Sequence, residues 1–177
     1  MLRSYSEISR FTVGTVGVPG DRTFFIQIRA GVDLISLSLE KSQVAALSER
    51  LNYMLKEIRL THPLISKPAL TRDSLPLEIP VLDEFRIGSI AIFFDEIGEK
   101  IQIDLRELQM GDEGDEEELL ILDDVNIIRS FISLSQAKTF IDRSELVIAA
   151  GRLPCPFCGL PINPEGHICA RANGYRR

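Results

Sequence analysis

Val32-Asp-Leu-Ile-Ser-Leu-Ser-Leu39 runs straight into Glu40-Lys-Ser-Gln-Val-Ala-Ala-Leu47, and the period of the apolar residues changes at the join. Up to Leu39 they alternate. Asp33, Ile35, Leu37 and Leu39 point one way, and Val32, Leu34, Ser36 and Ser38 the other. The first set is the more apolar, which makes it the core face of a strand. From about Lys41 to Arg59 the period lengthens. Val44, Leu47, Leu51, Leu55 and Ile58 recur every three or four residues and form one stripe of an amphipathic helix that packs on the sheet. Upstream, Arg10-Phe-Thr-Val-Gly14 and Thr23-Phe-Phe-Ile-Gln-Ile-Arg29 read as two more strands around the turn Gly14-Thr-Val-Gly-Val-Pro-Gly20. Residues 1–61 therefore predict three strands closed by a helix.

The pattern then returns. Phe85-Arg-Ile-Gly-Ser-Ile90 echoes Phe11-Thr-Val-Gly-Thr-Val16, and Lys100-Ile-Gln-Ile-Asp-Leu-Arg106 echoes Phe25-Ile-Gln-Ile-Arg29. Ile132-Ser-Leu-Ser-Gln136 echoes Leu39-Glu-Lys-Ser-Gln43, with Ser-Gln opening a helix each time. The second helix spans about Ser135 to Ala150 and aligns Ala137, Phe140, Ile141, Ser144, Val147 and Ile148 on one face. Gly151 suits its C-terminal cap, and Pro154 stops any continuation. The expected fold is α+β: a duplicated β-β-β-α unit forming an antiparallel sheet with both helices on one side, plus a small C-terminal zinc knuckle. The first repeat is residues 1–61 and the second 84–151, with an acidic loop. Residues 62–83 connect them and hold Pro63, Pro68, Pro76 and Pro80, which interrupt regular structure. Residues 152–177 form the zinc-binding tail.

Charge separates this tail from the rest. The 177 residues carry a formal −6, but residues 151–177 hold Arg152, Arg171, Arg176 and Arg177 against Glu165. That is +3, leaving −9 for residues 1–150. The acidic balance argues against a wholesale nucleic-acid coat. With 45% hydrophobic and 26% charged residues the composition is that of a globular protein. The opening Met1-Leu-Arg-Ser-Tyr-Ser-Glu-Ile-Ser-Arg10 lacks the apolar run of a signal peptide, and no stretch is long and apolar enough for a membrane span. A cytoplasmic protein is expected.

All three cysteines lie in the tail, within Leu153-Pro-Cys155-Pro-Phe-Cys158-Gly through Gly166-His167-Ile-Cys169. Zinc takes four tetrahedral ligands from thiolate sulfur and imidazole nitrogen. Cys155-x-x-Cys158 has the spacing of a tight knuckle, and Gly159 permits the left-handed turn such a knuckle uses. His167 and Cys169, two apart, can point to the same side and close the tetrahedron. Structural cysteines without a ligand would be dispersed. A redox pair would begin a helix, which Gly159 and Pro161 would break. Four protein ligands leave no open position for water, so the Zn²⁺ is expected to be structural.

Other segments carry less. Beyond the metal motif, Arg171, Asn173, Tyr175, Arg176 and Arg177 are the candidate partner-binding residues, able to grip phosphates or stack on bases. The six carboxylates between Asp112 and Glu118 lack the alternate ligand positions and flanking helices of a calcium loop, and read as a solvated loop. Gly14-x-x-Gly17-x-x-Gly20 leads into a strand rather than a helix, which marks a hairpin and not a phosphate loop. His62 has no catalytic neighbour in sequence, and no catalytic motif is present.

Arg10-Phe-Thr-Val-Gly-Thr-Val-Gly with Arg22-Thr-Phe-Phe-Ile-Gln, Leu39-Glu-Lys-Ser-Gln-Val, and Ala149-Ala-Gly-Arg-Leu-Pro-Cys-Pro-Phe-Cys-Gly through Gly-His-Ile-Cys-Ala-Arg-Ala-Asn-Gly-Tyr-Arg-Arg resemble the bacterial, mainly actinobacterial, DUF3090 family. The resemblance implies that Cys155, Cys158, His167 and Cys169 belong to the family plan, and it brings no established activity. It also implies genetic neighbours similar to histidine phosphatases and lipid kinases. The function expected is a non-enzymatic, zinc-containing module that binds a protein partner. The alternatives are nucleic-acid binding through the basic tail and an enzyme working in a cleft between the repeats.

Overall fold

The computed structural model describes residues 1–18, 20–69, 71–109, 125–151, 155–159, 162, 168, 169 and 171. Among these residues, seven strands and two helices follow in the order β1 (Leu2–Tyr5), β2 (Arg10–Val18), β3 (Asp21–Ala30), β4 (Asp33–Leu39), α1 (Lys41–Thr61), β5 (Asp83–Asp95), β6 (Lys100–Glu107), β7 (Ile127–Ser133) and α2 (Leu134–Ala149). The strands form one sheet in the order β1-β7-β6-β5-β4-β3-β2.

Alternation decides which face is buried. Phe11 and Val13 of β2, Ile26 and Ile28 of β3, and Ile35 and Leu37 of β4 all enter one hydrophobic cluster. Ile101 and Ile103 of β6 and Ile128 and Ile132 of β7 continue it. Val44, Leu47, Leu51, Met54 and Ile58 of α1 and Ala137, Phe140 and Ile141 of α2 belong to the same cluster, so both helices lie on one face of the sheet. The α1 stripe is the expected one except that Met54 is buried where Leu55 is only partly so. Each helix opens with a glutamine in its first turn folding back: Gln43 Oε1 accepts from the Glu40 N–H and Gln136 Oε1 from the Ser133 N–H, both at 2.8 Å.

The sheet is mixed, which corrects the antiparallel expectation. β4 pairs with β5 in parallel, with Ser36 opposite Asp83 and Ser38 opposite Arg86. β1 pairs with β7 in parallel, from Leu2 opposite Ile127 to Tyr5 opposite Ser130. The first parallel pair follows from the connection. After β4 the chain travels back along α1 and the connector, and β5 then starts at the end where β4 started, as a crossover requires. The second pair arises because β1, too short to be recognised by periodicity, adds to the free edge of β7. Gly151 also departs from expectation. The α2 cap is Ala150 at φ −69, and its carbonyl accepts from Arg22 Nη1 at 3.0 Å, so no left-handed glycine is needed there.

The described residues of the proline-rich connector have no regular structure, but from Ala69 onward they are pinned at several points. Ala69 N–H donates to Ser135 Oγ on α2, and Asp73 takes Arg10 Nε and Nη2 at 2.9 and 3.0 Å. Arg143 of α2 donates to the Asp73 carbonyl at 2.7 Å. Further on, Leu77 lies against Gly14, where a Cβ would come within 2.6 Å of its Cγ. Glu78 exchanges two hydrogen bonds with the Gln27 amide, at 2.7 and 3.0 Å. The connector thus passes from α2 over the β2 edge and onto the face of the sheet opposite the helices. That covers an edge that would otherwise offer unpaired backbone groups. Among the described residues no helix is long and apolar enough to cross a membrane.

Candidate metal centre

Cys155 to Gly159 form a tight turn. Its closing bond runs from Gly159 N–H to the Cys155 carbonyl at 2.8 Å, and Gly159 sits at φ +76, where a side chain would be strained. The left-handed glycine expected from the sequence is in place. The turn puts Cys155 and Cys158 on the same side, and Cys169 returns to meet them. The three Sγ atoms all lie within 4.8 Å of one another, and no pair is joined as a disulfide. Cys155 and Cys169 are each only 6% exposed, and they are the buried side chains among the described residues of the tail.

One distance bears directly on what the cluster can hold. A tetrahedral zinc with Zn–S bonds of about 2.3 Å sets its sulfurs roughly 3.8 Å apart. Cys155 Sγ and Cys169 Sγ are 3.8 Å apart. Backbone N–H groups reinforce the arrangement. That of Cys158, above all, and that of Phe157 hold the Cys155 thiol below its ordinary value, as does the Cys158 side chain, against burial and Cys169, which push it up. Amides aimed at a sulfur favour its thiolate, the form that binds metal. Three thiols gathered this closely, two of them buried and that of Cys158 half-buried, fit a soft or borderline cation held by sulfur and nitrogen.

Of the other predicted site residues, His167, Asn173, Tyr175, Arg176 and Arg177 lie outside the described residues, as does the acidic run 112–118. Arg171 is described: it is exposed, and its Nη1 donates to the Phe157 carbonyl at 3.3 Å. The tail's first arginine after the cysteines is therefore tied to the knuckle. Phe157, between Cys155 and Cys158, is 62% exposed. His62, assigned no role, lies 3.7 Å from Glu96 and stacks at a tilt on Phe94.

The place proposed for an enzymatic cleft is largely filled. The halves join through the β4–β5 ladder and share one apolar cluster that includes Leu39, Phe85 and Ile87. At its rim, however, lies an open cavity of about 260 Å³ lined by Arg22, Ser38, Glu40, Lys41 and Arg86 among others. Sequence reasoning did not single out these cations, because they come from β3, α1 and β5 and share no local pattern.

An α+β body with a mixed seven-stranded sheet and a C-terminal three-thiol cluster able to hold a metal ion defines the class of this protein. Residues 3–169 match the family described as protein of unknown function (DUF3090), and the chain belongs to that family. No curated protein and no solved structure matches it.

Proposed function

We propose that this chain is a non-enzymatic interaction module whose C-terminal segment folds around one structural zinc ion held by Cys155, Cys158, His167 and Cys169. The observation that carries the reading is the trio of thiols, with two sulfurs at the edge length of a zinc tetrahedron. Metal binding would supply folding energy that the tail's few apolar groups do not. Zinc-held thiolates are at home in a reducing compartment, which favours the cytoplasm. Elemental analysis of the purified chain should find about one zinc per molecule. A metal-free protein with three freely titratable thiols would overturn the assignment. A protein partner, as yet unidentified, is expected to co-purify with the native chain.

The body reads as a duplicated unit, residues 1–61 and 84–151, joined by 62–83 and followed by the tail at 152–177. Support comes from the two three-strand-plus-helix runs and from the equivalent fold-back of Gln43 and Gln136. A second functional reading is favoured by the exposed Phe157, whose carbonyl accepts from the exposed Arg171, an aromatic and a cation of the kind that grip single-stranded nucleic acid. Asn173, Tyr175, Arg176 and Arg177 would extend that surface. RNA binding that weakens steeply with salt and is abolished by deleting residues 170–177 would establish it. No binding at low salt would sink it.

A further inference from the structure

We infer that the rim between the two halves of the sheet carries a pocket for the phosphate group of a small phosphorylated molecule, with Lys41 and Arg22 as its principal cations and Arg86 as a third. The chain is acidic, at −6, yet here the sign is locally reversed. The cavity of about 260 Å³ is lined by three cationic side chains and one carboxylate, Glu40. That carboxylate is already engaged by Arg86. The neighbouring Asp83 is likewise occupied, accepting the Ser38 N–H at 2.9 Å. Lys41 has no ion-pair partner among the described residues.

The cations converge. A side chain begun at Gly151 would meet Arg22 Nη2 at 3.7 Å and Lys41 Nζ at 4.0 Å, so the two heads flank one gap, and Gly151 leaves it open. Arg22 is held in place twice over. Its Nη1 donates to Ala150 O, and its guanidinium lies 4.9 Å from the centre of the Phe24 ring. Nη2 is left directed at the gap, and a guanidinium fixed in this way pairs well with the oxygens of a phosphate, with the lysine as a mobile point charge opposite. A second cavity of about 200 Å³ adjoins the first and shares Arg22, Phe24 and Lys41. The space therefore exceeds one phosphate and admits an organic portion beside it.

Calorimetric titration of the full-length, metal-replete protein at low salt tests the site, with pyrophosphate and inorganic phosphate as the probes. Saturable binding is expected, weakened about tenfold or more by Lys41→Ala, a substitution that the first helical position accommodates without loss of helix propensity. Arg22→Gln should weaken it comparably. Lys138→Ala, on α2 and paired with Asp142, should leave it unchanged. The proposal is overturned if neither probe saturates at millimolar concentration, or if Lys41→Ala retains the parent affinity. It is equally overturned if Lys138→Ala weakens binding as much as Lys41→Ala, because the attraction would then be diffuse.

Discussion

The body and the tail of this chain differ in what they bury. In the body, twenty-four buried apolar residues from both helices and six strands form one cluster. In the tail, the described residues bury mainly two cysteines, while Phe157 and Ile168 beside them are exposed. A structure held by apolar area loses stability in proportion to the area removed. One held by a metal loses its organising centre as soon as a single ligand goes. The two regions should therefore respond oppositely to the same treatments.

The largest effect is expected from Cys155→Ser, which removes the thiol that the Cys158 and Phe157 amides support. Zinc affinity should fall by more than the roughly 10–100-fold that loss of an outer-shell partner costs. Bound metal should drop from about one per chain toward none, and the tail should become protease-sensitive, while the thermal midpoint of the body changes little. A chelator should reproduce this in the parent protein. If the body melted with the tail, the separation drawn between them would be wrong.

Phe140→Ala inverts the experiment. Phe140 is fully buried on the sheet-facing side of α2, with its ring 5.0 Å from that of Phe11. Its truncation should cost the body about 3–5 kcal/mol in chemical denaturation. Zinc content of the folded fraction should stay at the parent level.

Asp73 comes next. It joins Arg10 and Arg143, so it ties the connector to both β2 and α2. Asp73→Asn should cost about 2–3 kcal/mol, because the buried part of Arg143 loses the carboxylate it pairs with and Arg10 keeps, among the described carboxylates, only Glu78, at 3.9 Å. The same carboxylate gives the body a pH signature. Burial pushes the Asp73 carboxyl up, but the Arg10 hydrogen bonds and the Arg143 charge outweigh it and hold it below the usual range. Arg129 does the same for Asp104, against burial. A carboxylate depressed in the folded state stabilises fully above its unfolded value of about 3.9, and that contribution fades as pH falls through the depressed folded value. The thermal midpoint should stay level down to about pH 5 and decline below about pH 4. In Asp73→Asn the decline should be shallower.

Much of this was legible in the sequence, for identifiable reasons. The change of period at Leu39 located β4 and α1, and Ser135-Gln136 located α2, because these elements bury one face and leave the other wet. The knuckle showed itself because cysteine spacing is local, and Gly159 lies where the turn requires it. What stayed hidden was long-range. The parallel pairing of β4 with β5 depends on where the connector delivers the chain. The four-residue β1 exists only because β7 offers an edge. The Arg10–Asp73–Arg143 tie spans three elements, and so does the meeting of Arg22, Lys41 and Arg86, which no window of sequence contains.

The body's own halves repeat the contrast on a smaller scale, and their matching glycines measure it. Gly14 of β2 and Gly88 of β5 occupy corresponding places in the echoed Phe-x-x-Gly stretches, and each is crossed closely by other chain. At Gly14 the obstruction is the side chain of Leu77, whose Cγ would lie 2.6 Å from a new Cβ. At Gly88 it is backbone: the Leu108 Cα would lie at 2.7 Å, in a segment held by the Leu108 N–H donating to the Arg86 carbonyl at 2.7 Å. A side chain can turn aside, whereas a hydrogen-bonded backbone moves only by distorting the strand pairing. Gly88→Ala should therefore cost about 1–3 kcal/mol, in the range of overpacking, and Gly14→Ala roughly 1 kcal/mol or less. Equal costs in denaturant titrations would mean that the connector grips β2 as rigidly as the residues after β6 grip β5. The connector would then be as much a part of the folded sheet as its strands are.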